Sequence, residues 1–243
     1  YHLVTRTSGD ALRTRFGMRR FHFDPQTTIG VLNGKPYYLR GSNVCYFRFE
    51  EDPLQADKPW DEQWVRSLHR RFKSLHMNSL RYCIGFPPEM WYRIADEEGI
   101  IIQDEFPIWT LGEDDATPVG VETLADEYRD WMREHGNHAC VLIWDAQNES
   151  RFDKTRQAIG MVRDLDLSGR PWDNGWGKPH QPDAERIGLP LVIVGEHALR
   201  RQRLEEPVER RSRNTEDLGC LGLVPVGLVQ CGGYGLERQS FAP

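Results

Sequence analysis

The sequence predicts an α/β fold: a (β/α)8 barrel, incomplete, preceded by the last strands of a β-sandwich. Three observations predict it. Four or five strand–helix units follow one another from residue 36, and consecutive units of this kind form a parallel sheet. Cys140-Val-Leu-Ile-Trp144 is a short unbroken apolar run, as in a strand buried on both faces. It turns polar within a few positions, at Asn148-Glu149-Ser150, and a barrel carries its chemistry at the C-terminal ends of its strands. A doubly wound sheet is the competing arrangement. It is weakened because no glycine-rich phosphate loop follows the first strand, and no cofactor is expected.

Residues 1–35 read as the end of the sandwich domain with its linker. Thr14 to Phe23 alternates like a strand, and Asn33-Gly34-Lys35-Pro36 is a turn between strands. The barrel domain spans 36–198. Tyr37 to Gly41 is its first strand, and Trp60, Trp64, Leu68, Phe72 and Leu75 share one helical stripe. Asn78 to Cys83 is the second strand. Pro87-Pro88 opens a helix in which Trp91, Ile94 and Ala95 share a face, and Gly99 ends it. Ile100 to Ile102 is the third strand and runs into Asp104-Glu105. Val121, Leu124, Ala125, Tyr128, Trp131 and Met132 repeat at helical spacing. After the Cys140–Trp144 strand, Ala158, Ile159, Val162 and Leu165 mark another helix, and Arg170-Pro171-Trp172 ends a fifth strand. Leu189 to Val194 is a further buried strand, leading into Gly195-Glu196-His197. Residues 199–243 are rich in Arg, then in Gly, without a period, and are expected to be an aberrant, poorly ordered tail.

The net charge of −6, with no long basic run in the first two thirds, argues against nucleic-acid and anionic-membrane partners. No stretch approaches the roughly 18 apolar residues of a membrane span. The five cysteines are scattered without CxxC spacing, and Cys45, Cys83 and Cys140 lie in or beside strands. Buried free thiols are expected there rather than a disulfide framework. A start at Tyr1 with no signal-like segment suggests a fragment and leaves the compartment open.

Several stretches then occur in a telling order. They are Gly17-Met-Arg-Arg-Phe21, Leu32-Asn-Gly-Lys-Pro36, Leu39-Arg-Gly-Ser-Asn43, Met77-Asn-Ser-Leu-Arg81 and Trp91-Tyr-Arg-Ile-Ala-Asp-Glu-Glu-Gly99. Ile102-Gln-Asp-Glu-Phe106, Arg133-Glu-His-Gly-Asn-His138 and Ile143-Trp-Asp-Ala-Gln-Asn-Glu-Ser150 complete the series. Together, over about residues 12–185, they resemble the catalytic barrel of glycoside hydrolase family 2, the β-galactosidase, β-glucuronidase and β-mannosidase group. The resemblance implies a barrel preceded by an immunoglobulin-like β-sandwich and a retaining mechanism with two glutamates. It makes Glu149 the general acid/base and Asn148 the partner of the sugar 2-hydroxyl. It makes Glu196 the nucleophile, at the end of the seventh strand, with Arg81 close to it. The span between Glu149 and Glu196 is shorter than is usual in the family. Several members carry histidines after the first and second strands, where this chain has Val44-Cys45 and Ile84-Gly85-Phe86. A histidine-held metal or hydroxyl contact is therefore not carried over.

Retaining hydrolysis needs two carboxyl groups about 5–5.5 Å apart. The proton donor of such a pair must keep its proton near neutral pH, which burial and its partner's charge achieve. Trp144 and neighbouring aromatics are expected to supply apolar surroundings. Trp109, Trp172 and Trp176 fall in loops after strands, where indoles stack on sugars or simply pack. Asp104 and Glu105 line the same pocket, or else cap a loop or pair with Arg81. Glu149 has a plainer reading as a cap of the next helix. His135 and His138 are expected to serve structural hydrogen bonds, and no metal-ligand set converges. The expected partner is a carbohydrate substrate, and the sugar and the oligomeric state are open. The rival to a retaining exo-acting β-glycosidase is a non-catalytic carbohydrate-binding remnant of one.

Overall fold

The computed structural model describes residues 1–110 and 119–176. The chain begins with an antiparallel hairpin of β1 (His2–Arg6) and β2 (Ala11–Arg15), almost wholly exposed. A separate antiparallel sheet follows, built from β3 (Phe21–Phe23), β4 (Gly30–Leu32) and β5 (Lys35–Pro36). Asn33 and Gly34 join β4 to β5 with φ of 52° and 77°, the left-handed pair that a tight hairpin turn needs. The strand expected from Thr14 to Phe23 is therefore broken between β2 and β3. The cause is packing: Phe21 leaves the surface and is buried against Ile101, Leu142 and Ile143. A side chain at Gly30 would meet the Phe21 ring at 3.1 Å, so the glycine lets β4 lie over it. This small sheet closes the floor of the barrel.

The barrel proper opens with β6 (Gly41–Cys45), then a short α1 (Phe47–Glu50) and α2 (Glu62–Ser74). It continues through β7 (Ser79–Cys83), α3 (Glu89–Glu98), β8 (Ile101–Glu105), α4 (Val121–His135), β9 (Val141–Asp145), α5 (Asp153–Val162) and β10 (Trp172–Asp173). These five barrel strands are parallel and neighbour one another in chain order. The first lies at Gly41–Cys45 and not at Tyr37–Gly41 as expected. Its five residues are all buried yet mostly small or polar, so no apolar run marks it in the sequence. Tyr37 and Leu39 instead pack beneath the barrel beside Phe21.

Helix ends follow local chemistry. Asp61 accepts from the Gln63 and Trp64 amides at 2.8 and 3.2 Å, which starts α2. Gly99, at φ 70°, ends α3. Because α2 starts at Glu62, Trp60 falls outside it and stays exposed, while Val65 and His69 take core positions. Leu165, expected on α5, lies beyond it and is exposed.

Alternate strand residues point outward, where Val44, Leu80, Tyr82, Ile102 and Trp144 meet the helices. Trp91, Trp144 and Trp172 are fully buried in that layer. At ~25 cal/mol per Å2 and ~200 Å2 each, burial of one indole contributes about 5 kcal/mol before ordering costs. Cys45, Cys83 and Cys140 are buried free thiols, as expected. No described helix is long and apolar enough to cross a membrane. The strand expected at 189–194, Glu196 and the tail 199–243 lie outside the described residues.

Candidate active site

The inner face of the strands changes character with height. Its floor is apolar, and its upper part carries Arg81 from β7, Gln103 and Glu105 from β8, Asp145 from β9 and Asp173 from β10. Arg81 is the hub. Its Nε donates to Asp145 Oδ2 at 2.7 Å, its Nη2 donates to Asn148 Oδ1 at 3.0 Å, and it pairs with Glu105. Gln103 Nε2 donates to Asp145 Oδ2 at 2.8 Å and to Asp173 Oδ2 at 3.2 Å.

Three acids thus face one cation in a shielded space, and they cannot all hold full charge there. Burial pushes Glu105 well above the usual carboxylate range, and Asp145 and Asp173 add to this against the pull of Arg81. Burial, then Asp145, raises Asp173 to about 7. Burial opposes the charge on Arg81, but Asp145 and Glu105 hold it well above its ordinary value.

Just above this cluster the chain leaves β9. The Asn148 amide donates to Ile108 O at 2.8 Å, and Trp109 and Asn148 pair as a parallel bridge that extends the β8–β9 pairing. Ser150 Oγ donates to Asn148 O and accepts from the Thr110 amide, both at 2.7 Å. Glu149 sits between these anchors at φ 39°, a left-handed conformation that an L side chain adopts at a cost. Its carboxylate accepts from Trp109 Nε1 at 3.1 Å. Gln147 Nε2 donates to Asn174 O and Oδ1, both at 3.0 Å, tying this turn to the β10 loop. Gly175 is needed there, since a Cβ would lie 2.4 Å from Gln147 O.

Arg81, Glu105, Asn148, Glu149 and Trp109 are therefore brought to one rim. Asp104 is turned away from it. It is wholly buried in the helix layer, where Tyr92 Oη donates at 2.6 Å, Trp131 Nε1 at 2.8 Å and His135 Nδ1 lies at 2.7 Å. Neither pocket lining nor pairing with Arg81 describes it. Trp172 is core, and Trp144 points into the helix layer, so neither surrounds Glu149. Trp176 is exposed in the β10 loop. Asp145, Gln103 and Asp173 were not singled out in the sequence. The period of two was the available signal, because it puts residues 101, 103 and 105 on one face and Asp104 on the other.

His135 and His138 hold structural hydrogen bonds, as expected: His138 Nδ1 lies 2.8 Å from Asp96 Oδ2. Among the described residues, Asp96, His138 and Cys140 place ligand-type atoms within 4.8 Å of one another. Asp96 is already engaged there, by His138 and by the Cys140 amide at 2.7 Å.

The model of the family described as glycosyl hydrolases family 2, TIM barrel domain, matches residues 26–173. The chain belongs to this family. A putative β-glucuronidase of Formosa agariphila is 26% identical to this family-2 barrel over 181 residues, covering 73% of the chain and 17% of that protein. A β-galactosidase of Pectobacterium atrosepticum is 31% identical over 137 residues, covering 53% of the chain and 12% of that protein. The family-2 chain thus spans a small part of the length of these curated relatives. A β-glucuronidase from Ruminococcus gnavus, solved with a C6-substituted uronic isofagomine, superposes with a TM-score of 0.59 at 23% identity. That match covers 72% of this chain and 31% of the other, and it speaks for the fold alone.

Proposed function

We propose that this chain is part of a retaining glycoside hydrolase that cleaves terminal β-glycosidic bonds through a covalent glycosyl-enzyme. In this proposal the barrel occupies 36–198, after the end of a sandwich domain in 1–35. The observation that carries it is the Arg81–Asn148–Glu149 arrangement at the strand rim of a family-2 barrel. Asn148 Oδ1 accepts from Arg81 Nη2, which leaves its amide nitrogen as the donor for a sugar 2-hydroxyl. Glu149 is the acid that protonates the leaving oxygen and then deprotonates water. Trp109 orients that carboxyl through its indole N–H and offers a half-exposed face to a sugar ring. Trp176 offers a second one. Glu196, outside the described residues, is the nucleophile in this reading, on the strength of the family resemblance, which also assigns Arg81 as its partner.

Aryl β-glycosides of graded leaving-group ability test this. Glu149→Gln should slow substrates with poor leaving groups at least tenfold more than activated ones. Equal loss on both removes the acid role. A 2-fluoro glycoside should label Glu196, and label on another residue removes it from the mechanism. Sugar binding without turnover in the unmutated chain would favour the rival carbohydrate-binding function.

A further inference from the structure

Cys45 and Cys83 end adjacent parallel strands as register partners. Val44 and Tyr82, one residue earlier on each strand, point into the helix layer, so both thiols point to the inner face. Their Sγ atoms are 3.4 Å apart and buried. The Tyr46 amide donates to Cys83 O at 2.9 Å, which holds the two strand ends together at this level. Paired strands lie ~4.8 Å apart, within the ~4.4–6.8 Å that a disulfide spans between Cα atoms. Closing the sulfurs to ~2.05 Å asks for side-chain rotation rather than backbone movement.

We propose that Cys45 and Cys83 form a reversible modification site, a dithiol that a peroxide converts to a disulfide across the inner rim of β6 and β7. The Cys45 sulfur attacks one peroxide oxygen, breaks the O–O bond and becomes a sulfenic acid as water leaves. Cys83 then attacks that sulfur, the S–O bond breaks, and a second water leaves. In sum, two thiols and one hydrogen peroxide give one disulfide and two waters. Cys45 is the first nucleophile. It is the less buried of the two thiols, and its hydrogen bond with Cys83, against burial, together with the charges of Arg81 and Arg48, lowers it below the usual thiol range. The same hydrogen bond, with burial, raises Cys83. This site does not depend on the hydrolytic proposal, and its readout is mass rather than turnover.

The folded 243-residue chain is exposed to hydrogen peroxide, unfolded, alkylated with a maleimide and mapped by mass spectrometry. The expected result is a Cys45–Cys83 cross-linked peptide, lighter by two hydrogens and restored by dithiothreitol, with Cys140 still alkylated. Chain unfolded in urea before oxidation should give mixed pairings, which separates a site built by the fold from chance encounter. In Cys83→Ser, dimedone should capture a sulfenic acid on Cys45. If that variant does not fold, the map of the unmutated chain decides alone. Both thiols still alkylated after peroxide, or either one joined to a different cysteine, would overturn the site.

Discussion

Replacing Asp173 by Asn should flatten the pH dependence of stability. Burial, then Asp145, raises this carboxyl from 3.8 to about 7, against the pull of Arg81. Below about pH 4 the folded and unfolded chains both hold this proton, so it adds no slope. Between about pH 4 and about pH 7 the unfolded chain releases the proton while the folded one keeps it, so stability falls as the pH rises. At about 1.4 kcal/mol per tenfold change in proton activity, moving from 3.8 to about 7 caps the loss at about 4 kcal/mol. Asp173 is partly open to solvent and shares the cluster with Asp145 and Glu105, which brings the effect to about 2–3 kcal/mol. Asn cannot titrate. The stability of Asp173→Asn relative to the parent should therefore rise by about 2–3 kcal/mol from about pH 4 to about pH 7.5. Urea unfolding followed by tryptophan fluorescence at stepped pH measures it. A difference that stays constant across that window would refute the assignment and place the retained proton elsewhere.

Two further substitutions bear on the frame. Asp104→Ala leaves the Tyr92, Trp131 and His135 groups without their buried acceptor, and should cost about 3–5 kcal/mol in urea unfolding. A loss under about 1 kcal/mol would show that these donors find water instead. Phe21→Ala empties the barrel floor against Ile101, Leu142 and Ile143 and should cost about 3 kcal/mol. Its circular dichroism should stay helical, and collapse of the spectrum would mean that the floor sheet nucleates the barrel.

The helices were legible because each buries one apolar stripe against the sheet. Trp91, Ile94 and Ala95 on α3 and Leu124, Tyr128 and Trp131 on α4 repeat at helical spacing and are buried as that spacing requires. The β9 strand was legible because its apolar run is buried on both faces. The β6 strand was not, since its inner face carries Asn43 and Cys45 in place of aliphatic side chains. In the candidate site, Asn148 and Glu149 stood out through the ordered motif. Asp145 and Gln103 escaped because their role is set by partners distant in sequence. Arg81 lies 64 residues from Asp145, and no local pattern encodes that pairing. The burial of Phe21 was hidden for the same reason, because it depends on β8 and β9, distant in sequence.

Arg81 reaches Glu105 on β8, Asp145 on β9 and Asn148 beyond it from a single flat group. The fork fixes directions as well as charge, so it works as a gauge between the ends of three strands. A lysine would preserve the positive sign but grip one neighbour at a time, and the mouth of the half-cylinder would be free to splay. What the arginine writes into this surface is therefore a width.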